Sequence, residues 1–162
     1  MKTNRVFVSA LTFAALVLCT SIPPGVNAAD GAEKAIPGKF IAAWNSHDPA
    51  KLTTVFTDDV VYEDVAFGEV SHGKAELSKF AASEFEGTPD LELKLVRASI
   101  DDGHGTIEWT FTGTDKGVYK TGKKFTVRGV SVIDVRGGKI SRSLDYYDLS
   151  TIMRQVGVLP AQ

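Results

Sequence analysis

The sequence of 162 residues contains a single cysteine, Cys19, and no large excess of charge of either sign. One thiol cannot form an intrachain disulfide or a cysteine-rich metal site, so the fold must be stabilised by a packed core. The 18 basic and 20 acidic residues give a formal net charge of −2, unlike the strongly basic balance of nucleic-acid-binding domains. The hydrophobic content of 43% is too high for a disordered chain. Composition therefore indicates one globular domain without a nucleic-acid partner.

One apolar run stands at the N-terminus, where Val6–Leu18 follows two basic residues and carries no charge. The sequence Pro23-Pro24-Gly25 interrupts it, and Val26-Asn27-Ala28 then offers small residues at the two positions that a signal peptidase reads. A membrane anchor is the alternative, but a spanning helix needs about 20 continuous apolar residues. The pattern predicts a secretory signal peptide over 1–28 and export to the periplasm or the cell exterior.

Residues 29–162 are predicted to form the single mature domain. Residues 1–28 contain two of the 18 basic residues and none of the 20 acidic ones, so the mature domain has a formal net charge of −4. Mild acidity and the absence of cysteine suit an exported protein, and they disfavour binding to anionic membrane surfaces or nucleic acid. We expect no membrane association once the signal peptide has been cleaved.

Helical periodicity is strongest in the first half of this domain. Apolar residues recur at three- and four-residue spacings over 35–44, and Asp48-Pro49 is typical of an N-cap followed by proline in the first turn of a second helix. That helix is predicted to present Leu52, Val55 and Phe56 on one side. A third helix is predicted over 74–85 and a short terminal one over 149–156.

Strand-like patterns dominate the second half of the domain. Runs rich in β-branched and aromatic residues are separated by glycine-containing or polar turns. They predict strands over 60–64, 91–100, 105–113, 124–135 and 139–147. Helices followed by consecutive strands indicate an α+β domain.

Several short segments resemble the SnoaL-like branch of the NTF2-like superfamily, which includes SnoaL-like polyketide cyclases and ketosteroid isomerases. The resemblance is carried by the segments 44–49 (WNSHDP) and 56–64 (FTDDVVYED), by Gly73 before the third helix, and by 145–148 (DYYD) and 155–157 (QVG) near the C-terminus. It implies an NTF2-like cone, in which three N-terminal helices pack on a strongly curved antiparallel sheet. The concave face of such a cone encloses an apolar pocket for a hydrophobic small molecule.

Strand alternation predicts which side chains face that pocket. If Asp64 and Asp145 point inward, residues two positions away on the same strands do so as well. Neighbouring strands contribute further inward positions under the same rule. The predicted substrate-binding residues are Tyr62, Trp109, Ser131, Ser143 and Tyr147, together with Phe40 and Phe56 from the preceding elements.

Asp64 and Asp145 are the candidate catalytic residues. An aspartate in apolar surroundings loses hydration of its charged form, so its pKa rises toward the range useful for proton transfer near neutral pH. The resemblance implies specific roles: Asp64 matches the general-base position of ketosteroid isomerases, and Asp145 matches the acid/base aspartate of SnoaL-type cyclases. Phe40 and Ser131 stand where the isomerases have their tyrosine and aspartate oxyanion donors. These relatives act without metal or cofactor, and we expect neither here.

Structural roles are the alternative for the same residues. Asp64 could cap the following loop and Asp145 could be a hydrogen-bonding node, while Phe40, Phe56 and Trp109 could be core residues before they are pocket walls. The three histidines fall in predicted loops without metal-ligand spacing, so no metal site is predicted. Asp148, just before the terminal helix, is predicted to be its N-cap.

The outward face of the sheet is also apolar. Val130 and Val132 face outward if Ser131 faces inward, and Leu144 and Tyr146 join them from the next strand. A sheet that is apolar on both faces needs both covered, and the helices cover only the concave one. The pattern predicts a homodimer packed through the convex face.

Three functional interpretations follow. The first is an exported, cofactor-independent acid/base enzyme of the isomerase or cyclase type. The second is a non-catalytic pocket that binds a hydrophobic ligand, and the third is an accessory NTF2-like dimer. A cavity lined by both acids favours the first, a cavity without convergent polar groups the second, and a filled core the third.

Overall fold

The computed structural model describes residues 31 and 33–160, so the predicted signal peptide over 1–28 lies outside the described residues. Within those residues, no helix is both long enough and apolar enough to span a bilayer. The helices are α1 (Ile36–Trp44), α2 (Pro49–Thr53), α3 (Gly73–Gly87) and α4 (Leu149–Gln155). The strands are β1 (Phe56–Asp64), β2 (Glu69–His72), β3 (Glu92–Asp101), β4 (His104–Thr114), β5 (Lys124–Arg136) and β6 (Lys139–Tyr147).

The strands form one six-stranded sheet in the order β2-β1-β6-β5-β4-β3. The predicted α+β class and NTF2-like cone are confirmed, with one difference: β1 and β6 run parallel, whereas all other neighbouring pairs are antiparallel. The direction of β6 is fixed by its hairpin with β5, and β6 lies next to the first strand. Periodicity locates a strand along the chain but does not say which distant strand it joins.

Irregular pairing accompanies the bending of the sheet. The register shifts between Phe56 and Val61 in β1, between Leu95 and Arg97 in β3, and between Asp134 and Val135 in β5. Such bulges increase the local twist of a strand. The sheet remains open and curves around the core, where the helices pack on its concave face. The fully buried side chains there include Phe40, Leu52, Phe56, Val60, Leu77, Ile107 and Ile133.

Two predictions about the first strand were wrong. The second helix ends at Thr53, and Phe56, which was expected on its apolar side, begins β1. The first strand was predicted to begin at residue 60, but the segment 57–59 is part of it as well, with its two aspartates exposed at the surface. A register shift within β1 interrupts the alternation of buried and exposed residues. The segment 57–59 is therefore polar in sequence although its backbone is extended. The short strand β2 was not predicted.

Both predicted aspartate caps are confirmed. Asp48 accepts hydrogen bonds from the backbone N–H groups of Ala50 and Lys51 at the start of α2. Asp148 accepts one from the N–H of Ser150 at the start of α4. Each satisfies amide groups that have no partner within the helix. The cap at Asp148 ends β6 just beyond Tyr147 and so fixes the end of the strand that carries Asp145.

The loop between β4 and β5 is held by Asp115. Its carboxylate accepts hydrogen bonds from the backbone N–H of Tyr119 at 3.1 Å and from the backbone N–H and hydroxyl of Thr121, both at 2.8 Å. The N–H of Lys116 donates to the carbonyl of Gly87 at 2.9 Å. The loop is therefore joined to the C-terminal end of α3, and residues of both line one cavity.

Candidate active site

Asp64 and Asp145 lie directly opposite each other on the parallel strands β1 and β6. Both side chains are almost fully buried, each with 6% of its surface exposed. Side chains opposite each other on neighbouring strands share one face and lie about 5 Å apart at their Cβ atoms. The predicted alternation thus brings the two acids together on the concave face, with Tyr62 and Val60 on the same side.

Each aspartate accepts a hydrogen bond from a tyrosine on the other strand. The hydroxyl of Tyr62 on β1 donates to Oδ2 of Asp145 on β6 at 2.6 Å. The hydroxyl of Tyr147 on β6 donates to Oδ2 of Asp64 on β1 at 2.8 Å. This crossed arrangement follows from the register, since Tyr62 lies opposite Ser143, one inward position before Asp145.

The second oxygen of each aspartate also has a donor. Ser143 donates to Oδ1 of Asp145 at 3.2 Å, and the backbone N–H of Phe67 donates to Oδ1 of Asp64 at 3.1 Å. The latter bond makes Asp64 a cap for the β1–β2 turn, as its structural interpretation expected, in addition to its contact with Tyr147. Both carboxylates are therefore fixed in orientation by at least two hydrogen bonds.

Ser131 connects a third strand to this network. The indole Nε1 of Trp109 donates to Oγ of Ser131 at 2.9 Å, and Ser131 lies opposite Asp145 on the antiparallel pair β5 and β6. Ser131 is fully buried, and its hydroxyl hydrogen is left to bond the neighbouring carboxylate. A chain of polar groups thus runs from Trp109 through Ser131 toward Asp145.

Burial raises the pKa of Asp145 to about 6, although hydrogen bonds from Tyr62, Ser131 and Ser143 act in the opposite direction. Burial also raises the pKa of Asp64 above its ordinary value, against the lowering effect of the bond from Tyr147. The pKa values of both tyrosines rise well above the ordinary value of 10, first through burial and then through the nearby aspartates. The tyrosines therefore remain neutral donors, whereas Asp145 changes charge close to neutral pH.

A small cavity, here named the inner cavity, has a volume of about 40 Å³. Six aromatic rings, two leucines and three carboxylic acids surround it, and none of the lining residues is basic. The residues are Trp44, Tyr62, Asp64, Phe80, Glu84, Leu91, Leu93, Trp109, Phe111, Asp145 and Tyr147. Both candidate catalytic aspartates therefore line one small, mainly apolar space.

A larger cavity of about 440 Å³, here named the outer cavity, lies between α3, α4 and the β4–β5 loop. It shares Glu84, Phe111 and Tyr147 with the inner cavity. The shared residues mark a junction at which the two cavities adjoin. A ligand larger than the inner cavity can thus place its body in the outer one and its reactive end near the aspartates.

Glu84 on α3 is the acid that sequence reasoning missed. Burial, followed by the charges of Asp64 and Glu69, raises its pKa to about 7. Helical spacing could have identified Glu84 as a residue that faces the sheet. Leu77, Ala81 and Glu84 fall at four- and three-residue intervals on the face of α3 that packs on the sheet. A glutamate in that apolar series is unusual and points to a role in the pocket.

The structure separates the predicted substrate-binding residues into three groups. Tyr62, Trp109 and Tyr147 line the inner cavity. Ser131 and Ser143 lie behind the aspartates as buried hydrogen-bonding partners. Phe40 and Phe56 are fully buried in the core, where their rings meet edge to face at a centroid distance of 6.3 Å, and neither lines the inner cavity. Helix and strand periodicity predict that a residue is buried, but they do not show whether its side chain lines a cavity or packs in the core next to it.

Over residues 31 and 33–160, no group of three or more His, Cys, Asp or Glu side chains has an arrangement suited to a metal ion. The groups that can act chemically at the inner cavity are the three carboxyls and the hydroxyls and indole N–H groups around them. Such a set can take up, hold and release protons.

Comparison with known proteins agrees with this architecture. The sequence model of the SnoaL-like domain family, SnoaL_2, matches residues 38–143. No curated protein matches the chain at a significant level. Among solved structures, a hypothetical protein with a ketosteroid isomerase-like fold from Catenulispora acidiphila, in complex with trimethylamine, is 30% identical with a TM-score of 0.70. The alignment covers 75% of this chain and 92% of that one.

Two more distant structures share the fold. A protein from Jannaschia sp. assigned as a SnoaL-like polyketide cyclase is 15% identical, with a TM-score of 0.70 over 80% of this chain and 94% of its own. A phenazine biosynthesis-related protein from Pseudomonas aeruginosa is 18% identical, with a TM-score of 0.70 over 88% of this chain and 93% of its own. Together with the family match, these similarities show that the chain belongs to the SnoaL-like domain family of the NTF2-like superfamily.

Proposed function

We propose that this protein is a cofactor-independent acid/base enzyme of the isomerase or cyclase type, with Asp145 and Asp64 as its proton carriers. The observation that carries the proposal is the position of Asp145: it is buried, it lines the inner cavity beside Asp64, and its pKa lies at about 6. A base with that pKa is mostly ionised at pH 7 and still accepts and returns a proton readily. The family includes proteins with such activities, but family membership alone does not specify the reaction.

The substrate class follows from the same chemistry. Proton transfer by a carboxylate suits a carbon acid, meaning a ketone or ketoester whose α-hydrogen is acidified by the neighbouring carbonyl. Asp145 would remove this hydrogen as a proton, and the electron pair of the C–H bond would move toward the carbonyl oxygen to give an enolate. Asp64 is placed to carry a proton to or from a second atom of the same substrate. Return of a proton to a different carbon completes an isomerisation, and attack of the enolate carbon on a second carbonyl closes a ring.

Deuterium exchange tests the proposal. A panel of cyclic ketones and ketoesters is incubated in D₂O with the wild-type protein, D145N, D64N and the control D148N. We expect exchange at the α-carbon to be about 100-fold or more slower in D145N and reduced in D64N. Asp148 caps α4 outside the inner cavity, and asparagine can also cap a helix, so D148N should match the wild type. Equal exchange in D145N, D64N and the wild type would disprove the assignment.

A second candidate function is the binding of a small alkylammonium ion without catalysis. Six aromatic rings and three carboxyls without a basic residue form a favourable environment for an organic cation. The relative from Catenulispora acidiphila is in complex with trimethylamine. The cation would be attracted by the ring faces and by the ionised acids, and its methyl groups would fill an apolar space.

Binding measurements separate this candidate from a merely hydrophobic pocket. Titration calorimetry compares tetramethylammonium, whose charge does not depend on pH, with tert-butyl alcohol, a neutral molecule of similar shape. Recognition of a cation predicts that tetramethylammonium binds and that W109L weakens this binding, whereas tert-butyl alcohol binds poorly. Similar affinity for both compounds would instead support the hydrophobic-ligand interpretation.

Export is also part of the proposal. The N-terminal pattern that predicts a signal peptide supports it. Intact-mass measurement of the protein recovered from its native cells should give the mass of a chain that begins at Ala29. A mass corresponding to the full sequence would contradict export through cleavage at this site.

A further inference from the structure

The two aspartates of the inner cavity are already engaged, and Glu84 is not. Each oxygen of Asp64 and Asp145 accepts a hydrogen bond from a serine, a tyrosine or the backbone. Within the part of the chain that the structure describes, no hydrogen bond or ion pair engages the carboxyl group of Glu84. Glu84 also lines both cavities, at the junction where a ligand that spans them must pass.

A second group at the inner cavity also has an unused hydrogen-bonding function. Trp44, which forms part of the wall, is only 4% exposed, and its Nε1 is buried without a hydrogen-bond partner among the described residues. A buried donor without a partner destabilises the fold, so such groups usually mark a site where a ligand or water completes the bond. An unpaired donor and an unengaged carboxyl in the wall of one cavity indicate that an oxygen-bearing ligand group binds there.

We propose that Glu84 is the acid of this site: its carboxyl group donates to the carbonyl oxygen of the substrate at the junction of the two cavities, while Asp145 acts as base on the adjacent carbon. This inference rests on the proposed acid/base function and names the group that its enolate requires. In the forward step the C–H bond breaks and its proton passes to Asp145. The electron pair forms the C=C bond of an enol, and the carbonyl oxygen takes the proton of Glu84. Collapse of the enol returns both protons.

The electrostatic surroundings suit these two roles. The pKa of Asp145 is about 6 and that of Glu84 about 7, so between these values Asp145 is mostly ionised and Glu84 mostly protonated. Opposite protonation states in one pocket distinguish a base from an acid. Several titratable groups surround Glu84 in the two cavities. They are Tyr62, Asp64, Glu69, Asp145 and Tyr147 on the sheet side, Asp115, Lys116, Tyr119 and Lys120 on the loop side of the outer cavity, and Glu86 on α3.

The site otherwise offers few free donors for an enolate oxygen. Trp109 donates to Ser131, and the hydroxyls of Tyr62 and Tyr147 are engaged with the aspartates. An enolate formed at Asp145 without a donor at its oxygen would be poorly stabilised. Glu84 supplies that donor from a different element, the helix α3, and Trp44 offers a second one.

The test observes Glu84 directly and does not depend on turnover. The protein is labelled with ¹³C at glutamate carboxyl carbons, the Glu84 signal is assigned by its loss in E84Q, and ethyl acetoacetate is the probe. We expect the ketoester to shift the Glu84 signal at pH 6 and to raise the midpoint of its titration, because the protonated carboxyl is the form that binds. The signal of Glu92, an exposed residue on β3 outside both cavities, should not change. No perturbation of Glu84 up to the solubility limit of the probe would overturn the proposal.

Exchange kinetics supply the second readout. The exchange rate of the wild type should rise with the ionisation of Asp145 and fall as Glu84 loses its proton. We expect E84Q to be at least about tenfold slower and to lose the falling limb above pH 7, whereas E92Q keeps the bell-shaped profile. A falling limb that persists in E84Q would overturn the role of Glu84. If D145N exchanges as fast as the wild type, the proposed function fails together with the role of Asp145 as base. The effect of ethyl acetoacetate on the Glu84 signal then decides only whether Glu84 donates to a bound carbonyl oxygen.

Discussion

The hydroxyl of Tyr62 on β1 donates a 2.6 Å hydrogen bond to the carboxylate of Asp145 on β6. The two residues are 83 positions apart in the sequence and meet because the last strand lies parallel to the first. The reciprocal bond joins Tyr147 to Asp64 at 2.8 Å. This crossed pair fixes the orientation of both acids in the inner cavity, and it makes each tyrosine a determinant of how its partner aspartate titrates.

The substitution Y62F tests the first of these bonds. Removing the hydroxyl leaves Asp145 without one of the donors that lower its pKa, so the pKa of Asp145 should rise further above 6. Because a hydrogen bond to a buried carboxylate is lost, the free energy of unfolding should fall by about 1–3 kcal/mol. Denaturant unfolding measures the second effect, with Y146F as the control, because Tyr146 lies on the other face of the sheet and is 44% exposed. Equal stability of Y62F and the wild type would show that this bond contributes little.

Glu84 predicts an unusual dependence of stability on pH. Its pKa is raised from 4.5 to about 7 in the folded protein, so above pH 4.5 the folded state holds more proton than the unfolded state does. The contribution of Glu84 to stability is therefore fully present below about pH 4.5 and is lost as pH rises toward and through 7. The variant E84Q cannot ionise and should be more stable than the wild type at pH 8, by on the order of 2 kcal/mol, with a smaller difference at pH 4.

Thermal unfolding at both pH values checks this expectation, and the difference between E84Q and the wild type isolates Glu84 from the other acids. The variant E92Q makes the same chemical change at an exposed position. If E84Q gains no stability on going from pH 4 to pH 8 relative to the wild type, Glu84 is not a desolvated acid.

The outer face of the sheet predicts a dimer. Val130 and Val132 are only partly covered there, Tyr146 is 44% exposed, and the ion pair between Arg97 and Glu108 lies on the neighbouring strands. We propose that a second copy of the chain covers this surface.

Sedimentation velocity at micromolar concentration should show a dimer for the wild type and a monomer for V132D, because the aspartate would bury a charge in the interface. The control V118D, in the β4–β5 loop, should remain dimeric, and a monomeric wild type would refute the proposal.

Much of the fold could be predicted because its elements carry clear periodicity. Once Asp64 and Asp145 are taken to point inward, the two-residue repeat of strands predicts that Tyr62 and Tyr147 do so as well, and the structure reproduces this pattern. The parallel pairing of β1 with β6 and the extended backbone over 57–59 could not be read in the same way, since both depend on contacts between distant segments and on a bulge.

The candidate site was only partly visible in the sequence. The family resemblance identified the aspartates, and strand alternation gave the neighbours that face inward with them. Neither specifies hydrogen-bond partners, so the crossed tyrosine bonds follow only from the register of the two strands. The apolar residues of α3 predict the helix face that packs on the sheet, but they do not show that the carboxyl group of Glu84 lies in a cavity wall. The position of a cavity depends on how side chains from several elements pack together, and the sequence pattern of one element does not show this. Phe40 and Phe56 were therefore expected at the pocket, whereas they lie in the core.

The central claim is that Asp145 is a buried acid with a pKa suited to proton transfer, and a ¹³C-detected titration of aspartate carboxyl carbons tests it most directly. The Asp145 signal, assigned by its loss in D145N, should titrate with a midpoint close to 6 and move upward in Y62F. Asp148, whose pKa is lowered to about 2 by its capping bonds, provides the internal reference. A midpoint of Asp145 at or below 4 would contradict the account, because the carboxylate would then be too weak a base for the proposed chemistry.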